Sequence, residues 1–289
     1  MRSWLFIPGD SEKKLGKVDG TGADAVILDL EDAVLPEAKP RARALVHDVL
    51  AARPRGQRAA PLWVRINPLA SALALDDLVA VMPGQPDGIM VPKISSPWDL
   101  VALNHYLEVL EVAHGLTRGS VPLVPVLTET AESLFSMGEL RSIGDRLRGV
   151  TWGAEDLAVD LGAMRNRDET GAWTFTYQLA RSLTLAAAAT CEAQAIETVY
   201  TDFRNTEGLR GYCERARRDG FTGMLAIHPA QVEVINDAFT PTADEVDWAR
   251  RVVALFERSD GAGAVQMDGA MLDIPHLKQA RRLLQLAGE

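Results

Sequence analysis

Eight short apolar runs recur along the chain, and helix-length segments of mixed polarity separate them. The runs are SWLFIP (3–8), DAVILDLED (24–32), PLWVRINP (61–68), DGIMVPKI (87–94), VPLVPVLTET (121–130), RGVTWGAED (148–156), AIETVYTD (195–202) and FTGMLAIHP (221–229). Apolar runs without polar alternation are typical of strands buried on both faces, and the segments between them have the length of crossover helices. The pattern therefore predicts an α/β protein that folds as a (β/α)₈ barrel.

The chain is long enough to carry more than a barrel, because it has 289 residues and such a barrel commonly needs roughly 250. We assign residues 1–235 to the barrel and 236–289 to a C-terminal helical extension. Two helices are predicted in the extension from one apolar face each, formed by Val246, Ala249, Val253 and Phe256 and by Leu277, Ala280, Leu284 and Ala287. The glycine-rich segment 259–270 between them is predicted to be a hinge or linker.

Charge and composition narrow the class of partner. The formal net charge of −10 argues against nucleic acid as the main partner, because phosphate binding needs a basic surface. Two isolated cysteines suit a reducing compartment, and no apolar run approaches the roughly 18 residues of a membrane span. We therefore expect a cytoplasmic protein that acts on small molecules, without a membrane partner.

Two carboxylates stand at the carboxyl ends of neighbouring runs: Glu129 ends the fifth and Asp156 the sixth. Chemistry in such barrels takes place at this face, and two carboxylates completed by water and substrate are a common site for Mg²⁺ or Mn²⁺. A single rim carboxylate could instead cap a helix, but two at adjacent strand ends favour the metal site. Because strand residues alternate, Glu155 and Asp156 are expected to face opposite sides.

Basic residues near the same face have two interpretations each. Arg65, at the end of the third run, could form an ion pair with Asp29, Glu31 or Asp32, could contact a bound anion, or could do both. The clusters that follow the first two runs could bind phosphate or form a solvated basic face; they contain Lys13, Lys14 and Lys17, and Lys39, Arg41 and Arg43.

Several motifs taken together resemble one known family. They are LFIPGD, GADAVILDLEDAV, VRINP, DGIMVPK, TETA around Glu129, WGAEDLAVDLG, TVYTDFRNTEGL, GFTGMLAIHPAQV and AMLDIPHLKQA. This set resembles the citrate lyase β-subunit-like branch of the HpcH/HpaI aldolase/citrate lyase family, which includes malyl-CoA, β-methylmalyl-CoA and citramalyl-CoA lyases. The resemblance covers residues 2 to about 284 and implies a TIM barrel of the phosphoenolpyruvate/pyruvate-binding kind that uses Mg²⁺ and a coenzyme A thioester substrate.

The resemblance also implies roles for individual residues. Glu129 and Asp156 match the metal ligands, and Arg65 matches an arginine that contacts the substrate carbonyls and the developing enolate. Asp273 matches an aspartate that a neighbouring subunit's C-terminal lid supplies, and we assign it the role of base. Three lysines fall where the family's basic coenzyme A contacts lie: Lys13, Lys14 and Lys39. A homotrimer or homohexamer is implied.

The function that follows is cleavage or formation of a carbon–carbon bond in malyl-CoA, β-methylmalyl-CoA or citramalyl-CoA, which gives acetyl- or propionyl-CoA and a 2-oxo acid. Alternatives are a malyl-CoA-type thioesterase, the citryl-carrier-protein lyase β subunit of a citrate lyase complex, and a non-catalytic regulatory barrel. Two departures from the family pattern leave the 2-oxo acid open: Glu132 stands where many relatives have a small or basic residue, and segment 164–178 forms a loop of its own.

Overall fold

Eight parallel strands close into a barrel in the computed structural model, which describes residues 1–259 and 263–289. The strands are β1 (Ser3–Pro8), β2 (Ala25–Asp29), β3 (Leu62–Arg65), β4 (Gly88–Val91), β5 (Leu123–Leu127), β6 (Gly149–Trp152), β7 (Gln194–Glu197) and β8 (Gly223–Ala226). Strand β1 pairs with both β2 and β8, which closes the ring. Each predicted run supplies one strand, so the predicted (β/α)₈ barrel is confirmed.

Helices follow most of the strands. They are α1 (Glu12–Leu15), α2 (Lys39–Ala51), α3 (Leu73–Val81), α4 (Pro97–Ala113), α5 (Ala154–Asp160), α6 (Phe175–Thr190), α7 (Thr206–Asp219) and α8 (Val232–Phe239). The connection from β5 to β6 is different, because it consists of two 3₁₀ segments, Glu132–Phe135 and Met137–Arg146. Gly144, with φ 68° and ψ −152°, interrupts the helical backbone there.

Apolar side chains from neighbouring strands pack together in the barrel core, among them Trp4, Ile27, Trp63 and Met90. Trp4 of β1 and Trp63 of β3 meet edge to face with ring centroids 5.0 Å apart. Gly88 opens β4 directly beneath this pair, and a Cβ atom at Gly88 would lie 2.2 Å from the Trp63 ring. The large indole is therefore accommodated only because β4 begins with a residue that has no side chain.

Residues 237–289 form a second compact unit. It contains α9 (Ala243–Arg258), β9 (Ala264–Met267), β10 (Ala270–Asp273) and α10 (Ile274–Ala287). The two helices pack through part of their predicted apolar faces: the buried cluster comprises Ala249, Val252, Phe256, Leu272, Leu277 and Ala280, whereas Ala287 is exposed. The two C-terminal helices predicted from periodicity are confirmed.

The prediction of a linker over 259–270 was wrong for most of that segment. Strands β9 and β10 form an antiparallel hairpin, in which Met267 pairs with Ala270. The two residues between them, Asp268 and Gly269, have φ of 52° and 83°. Positive φ at both positions is typical of a type I′ turn, for which Asp-Gly is a preferred sequence. Residues 260–262 lie outside the described residues.

Two further predictions from composition bear on location. No helix within residues 1–259 and 263–289 combines the length and apolarity that a membrane crossing requires. Cys191 and Cys213 are both free thiols, as a pair of isolated cysteines suggests. A cytoplasmic location stays a prediction.

Candidate active site

The candidate site lies at the carboxyl ends of β2 to β6. Asp29 and Arg65 are the last residues of β2 and β3, Lys93 and Glu129 follow β4 and β5 by two residues, and Asp156 is in the first turn of α5. Asp156 therefore belongs to a helix, and the expectation that Glu155 and Asp156 alternate along a strand was wrong. The strand ends already at Trp152, since Gly153 is the N-terminal cap of α5.

Arg65 is held by carboxylates from the end of β2. Its Nε and Nη2 donate to the two oxygens of Asp29 at 2.8 and 2.6 Å, and its Nη1 lies 2.8 Å from Glu31 Oε2. Burial opposes the charged guanidinium, but these carboxylates outweigh it and raise the pKa of Arg65 above its ordinary value. A guanidinium has five N–H groups, so this arrangement fixes its orientation and leaves donors for a further anion.

Lys93 links the carboxylates of this site. Its Nζ donates to Glu31 and, at 2.9 Å, to Asp32, and it lies 3.3 Å from Asp156 Oδ1. Its backbone N–H donates to Glu129 Oε2 at 2.5 Å. The pKa of the Lys93 ammonium is raised, because hydrogen bonds to Glu31 and Asp32 outweigh the cost of burial. No role was predicted for Lys93 from the sequence, although this residue stands at the carboxyl end of the fourth run.

Two non-glycine residues of the site have left-handed backbone conformations. Lys93 has φ 49°, and Thr128, which precedes Glu129, has φ 68°. Such conformations cost of order 1–3 kcal/mol each and persist where surrounding contacts impose them. At Thr128 these contacts are a hydrogen bond from its N–H to Ser133 Oγ at 3.2 Å and one from its hydroxyl to the Gly153 carbonyl at 3.3 Å. The turn that presents Glu129 is therefore pinned on both sides.

Glu129 is buried, with 5% of its surface exposed. Burial, followed by the charges of Glu31 and Asp156, raises the pKa of Glu129 to about 8. The linked group around it contains Asp29, Glu31, Asp32, Glu129 and Asp156 against the two basic side chains Arg65 and Lys93, a formal excess of three negative charges. Asp29, Glu31 and Glu129 are buried whereas Asp32 and Asp156 are more exposed, and a partly buried excess of negative charge favours a bound cation.

The donor atoms fit Mg²⁺ or Mn²⁺, which prefer carboxylate oxygens. Among the described residues, no group of three or more His, Cys, Asp or Glu side chains is arranged to hold a metal by itself. Glu129 and Asp156 would hold the ion together with water and substrate oxygens, as in sites that keep open positions for a reactant.

The raised pKa of Glu129 predicts how the stability of the metal-free protein depends on pH. Between the ordinary glutamate pKa of about 4.3 in the unfolded chain and about 8 in the folded chain, the folded protein binds the extra proton. The free energy of unfolding should therefore fall as pH rises from about 5 to 8, and Glu129→Gln should remove this part of the slope. Urea unfolding in EDTA at several pH values in this range gives the free energy of unfolding of the wild type and of Glu129→Gln. If this free energy depends on pH with the same slope in both proteins, the prediction is contradicted.

Gly153 leaves room for the Glu129 side chain. A Cβ atom at Gly153 would lie 2.4 Å from Glu129 Cγ and 3.0 Å from its Oε1. Gly153→Ala should displace the carboxylate, and a displacement of about 1 Å can cost on the order of 100-fold in turnover. Gly138→Ala is a matched control, because a Cβ there meets nothing within 4 Å. Turnover and Mg²⁺ affinity of both variants test this; wild-type values for Gly153→Ala would contradict it.

The three lysines proposed as coenzyme A contacts lie in different surroundings. Lys13 and Lys14 are exposed on α1. Lys39 is buried, and its Nζ donates to the backbone carbonyls of Leu30 and Glu31 at 2.8 and 3.1 Å. The ammonium of Lys39 thus fixes the chain that leaves β2, which is a structural role whether or not it also contacts a ligand.

Segment 164–178, which was predicted to be a loop, is a loop only up to Thr174, because α6 begins at Phe175. An isolated bridge joins Arg167 to Trp173, and the Arg167 guanidinium lies 3.5 Å from the Trp173 ring centroid. The segment lines a cavity of about 660 Å³ together with residues of α6 and α7. The loop is therefore ordered by its own contacts, and Phe175 begins the helix earlier than expected.

Comparison with known proteins identifies the family. Residues 2–229 match the model of the HpcH/HpaI aldolase/citrate lyase family. The chain belongs to this family. The family inferred from the sequence motifs is thereby confirmed, as is the conclusion that the chain is an enzyme of a lyase family.

This family member is similar along nearly its whole length to relatives with different named activities. It is 35% identical to a (3S)-malyl-CoA thioesterase of Cereibacter sphaeroides, over 99% of this chain and 94% of that protein. It is 33% identical to the mitochondrial citramalyl-CoA lyase of Rattus norvegicus, over 99% and 86%. The crystal structure of the protein CitE from Mycobacterium tuberculosis in complex with magnesium, acetoacetate and coenzyme A superposes with a TM-score of 0.80 at 32% identity, covering 100% and 98% of the two chains.

Proposed function

We propose that this protein is a Mg²⁺-dependent carbon–carbon lyase that acts on a 3-hydroxy-3-carboxyacyl-CoA. Candidate substrates are malyl-CoA, β-methylmalyl-CoA and citramalyl-CoA, which would give acetyl- or propionyl-CoA and a 2-oxo acid. One observation carries the proposal: Glu129 and Asp156 meet at Lys93 beside an arginine whose direction is fixed by Asp29. This combination offers a cation site and an anion site at adjacent positions.

The known relatives support Mg²⁺ and a coenzyme A thioester as the ligands of this site. The similar CitE structure contains magnesium and coenzyme A, and the rat relative is named a citramalyl-CoA lyase. Bound at Glu129 and Asp156, a divalent ion would supply a Lewis acid for the oxygens of the 2-oxo acid portion of the substrate.

Asp273 and Arg65 have different roles in the proposed cleavage. In our assignment Asp273 takes the proton of the substrate hydroxyl, the carbon–carbon bond breaks, and its electron pair passes into the thioester as an enolate. The remaining N–H groups of Arg65 donate to the enolate oxygen, a contribution commonly worth about 3–4 kcal/mol per donor. A proton returned to the enolate carbon completes the acyl-CoA product.

A thioesterase outcome is the second candidate, because a relative that likewise matches 99% of this chain is named a (3S)-malyl-CoA thioesterase. In that case water attacks the thioester carbonyl, the carbon–sulfur bond breaks, and coenzyme A and a hydroxy acid leave. The same carboxylates and arginine would serve this reaction, so the site alone favours neither outcome.

Product analysis separates the two functions. The enzyme is incubated with Mg²⁺, acetyl-CoA or propionyl-CoA, and glyoxylate or pyruvate, and the products are identified by mass. A condensed hydroxyacyl-CoA supports the lyase. If malyl-CoA yields malate and free coenzyme A without glyoxylate, the thioesterase function is supported. If none of these compounds reacts, both proposed functions are contradicted.

The exposed lysines of α1 predict an effect on substrate binding. Replacing Lys13 and Lys14 together with alanine should raise the KM for the CoA ester more than it lowers kcat, because contacts remote from the reacting bond contribute uniform binding. The double replacement of Arg215 and Arg218, exposed on α7, removes the same charge and is the control. Equal changes in KM for the two double variants would place the coenzyme A contacts elsewhere.

A further inference from the structure

Asp273 has a close partner within the C-terminal unit. It is the last residue of β10 and the N-terminal cap of α10, and His276 follows at the third position of the helix. The His276 Nδ1 lies 2.6 Å from Asp273 Oδ1 and 3.2 Å from the Asp273 backbone nitrogen. The two residues therefore approach each other through both side chain and main chain, as in a capping box.

The two distances decide where the proton of the imidazole lies. A ring nitrogen carries either a hydrogen or a lone pair, so Nδ1 cannot donate to the carboxylate and accept from the backbone N–H at the same time. A nitrogen and an oxygen 2.6 Å apart need a hydrogen between them. The shorter contact is therefore the hydrogen bond, in which Nδ1–H donates to Asp273 Oδ1.

Helix capping alone does not explain a histidine at this position. A glutamate or glutamine three residues after the cap completes a capping box with a side-chain oxygen. In this capping box the backbone N–H of His276 also faces the Asp273 side chain, and a side chain with a donor adds a second contact that holds the carboxylate in one orientation.

We propose that His276 is a positioning residue for Asp273. Its Nδ1–H occupies Oδ1, which fixes the carboxylate and leaves Oδ2 as the oxygen that exchanges a proton with the substrate. The inference rests on the proposed function, because it takes Asp273 to be the base.

A matched pair of variants separates positioning from capping. His276→Gln and His276→Glu both supply an oxygen to the Asp273 N–H, but only the glutamine can donate to Oδ1. We expect equal Tm values for the two. The glutamine variant should keep most of the wild-type kcat, whereas the glutamate variant should lose roughly 10- to 100-fold, part of what a general base contributes. KM for the CoA ester should stay within about twofold. Equal kcat values in the two variants would overturn the proposal.

A spectroscopic measurement tests the same contact without turnover. Nitrogen-15 spectra of the imidazoles should show hydrogen on Nδ1 of His276. His105 is the control, because its Nδ1 lies 3.9 Å from Glu108 at the same spacing on α4, too far for a hydrogen bond. Hydrogen on Nε2 alone of His276 would overturn the inference.

The Asp273→Asn variant shows whether a negative result concerns the role of Asp273 as base or only the positioning role of His276. If that variant is inactive but the glutamine and glutamate variants turn over equally, Asp273 remains the base and the positioning role of His276 is wrong. If Asp273→Asn retains wild-type activity, the assignment of Asp273 as the base is wrong, and with it the role of His276.

Discussion

Replacing Asp156 with alanine should abolish both turnover and the binding of Mg²⁺. The reason is that Asp156 and Glu129 are the carboxylates proposed to hold the ion, and a Lewis acid contributes several kcal/mol to the transition state. At about 1.4 kcal/mol per factor of ten, the expected loss of kcat/KM is on the order of 1000-fold or more. Calorimetric titration with Mg²⁺ and an assay restored by Mg²⁺ after EDTA treatment measure the two effects.

The neighbouring carboxylate provides the control for that loss. Glu155 lies in the same helical turn, is exposed, and accepts a hydrogen bond from Asn166 at 3.0 Å. Glu155→Ala removes the same charge from α5 and should keep metal affinity and activity near wild type. Full activity of Asp156→Ala in metal-free buffer would refute the metal site.

Mixing two inactive variants should restore activity if Asp273 acts across a subunit boundary, as we propose for a homotrimer or homohexamer. Asp156→Ala chains retain an intact tail, and Asp273→Ala chains retain an intact barrel. After subunit exchange at equal concentrations, random assembly in a cyclic oligomer gives about one quarter of the sites both intact parts. Activity should therefore rise from background to about that fraction of wild type.

A second mixture shows whether recovery has this cause. Asp156→Ala and Glu129→Ala both damage the barrel, so no exchange between them can assemble an intact site, and their mixture should stay inactive. If fluorescence-labelled chains demonstrate exchange while the first mixture also stays inactive, each barrel uses its own tail. Activity of the Asp273→Ala chains by themselves would show instead that Asp273 is not required.

The barrel could be predicted from sequence because its cause is local. Eight runs without alternation need burial on both faces, and each of them contains one strand of the closed sheet. The hairpin of β9 and β10 was missed although Asp268-Gly269 is a turn signal, because its strands are short and partly exposed. Asp156 was placed on a strand because nothing in the residue pattern indicates that Gly153 caps a helix.

The candidate site was predictable in its residue types and less so in its contacts. Arg65 was expected to meet carboxylates, and it meets Asp29 and Glu31. Lys93 was missed because its importance comes from the reach of its side chain to the carboxylates that follow β2, which no spacing along the chain reveals. The metal-binding roles of Glu129 and Asp156 were predicted from their positions at neighbouring strand ends and from resemblance, and the role of Asp273 as base from resemblance. All three remain predictions.

The left-handed backbone at Lys93 and Thr128 limits how this enzyme can be altered for a new substrate. At such positions glycine and asparagine are tolerated best, and a large or β-branched replacement adds strain to a turn that presents Glu129. In a directed-evolution library that randomises the whole mouth of the barrel, many variants would have a distorted active site. Variation is better confined to Glu132 and to segment 164–174, where we expect this chain to depart from the family pattern and where the backbone carrying the carboxylates is left intact.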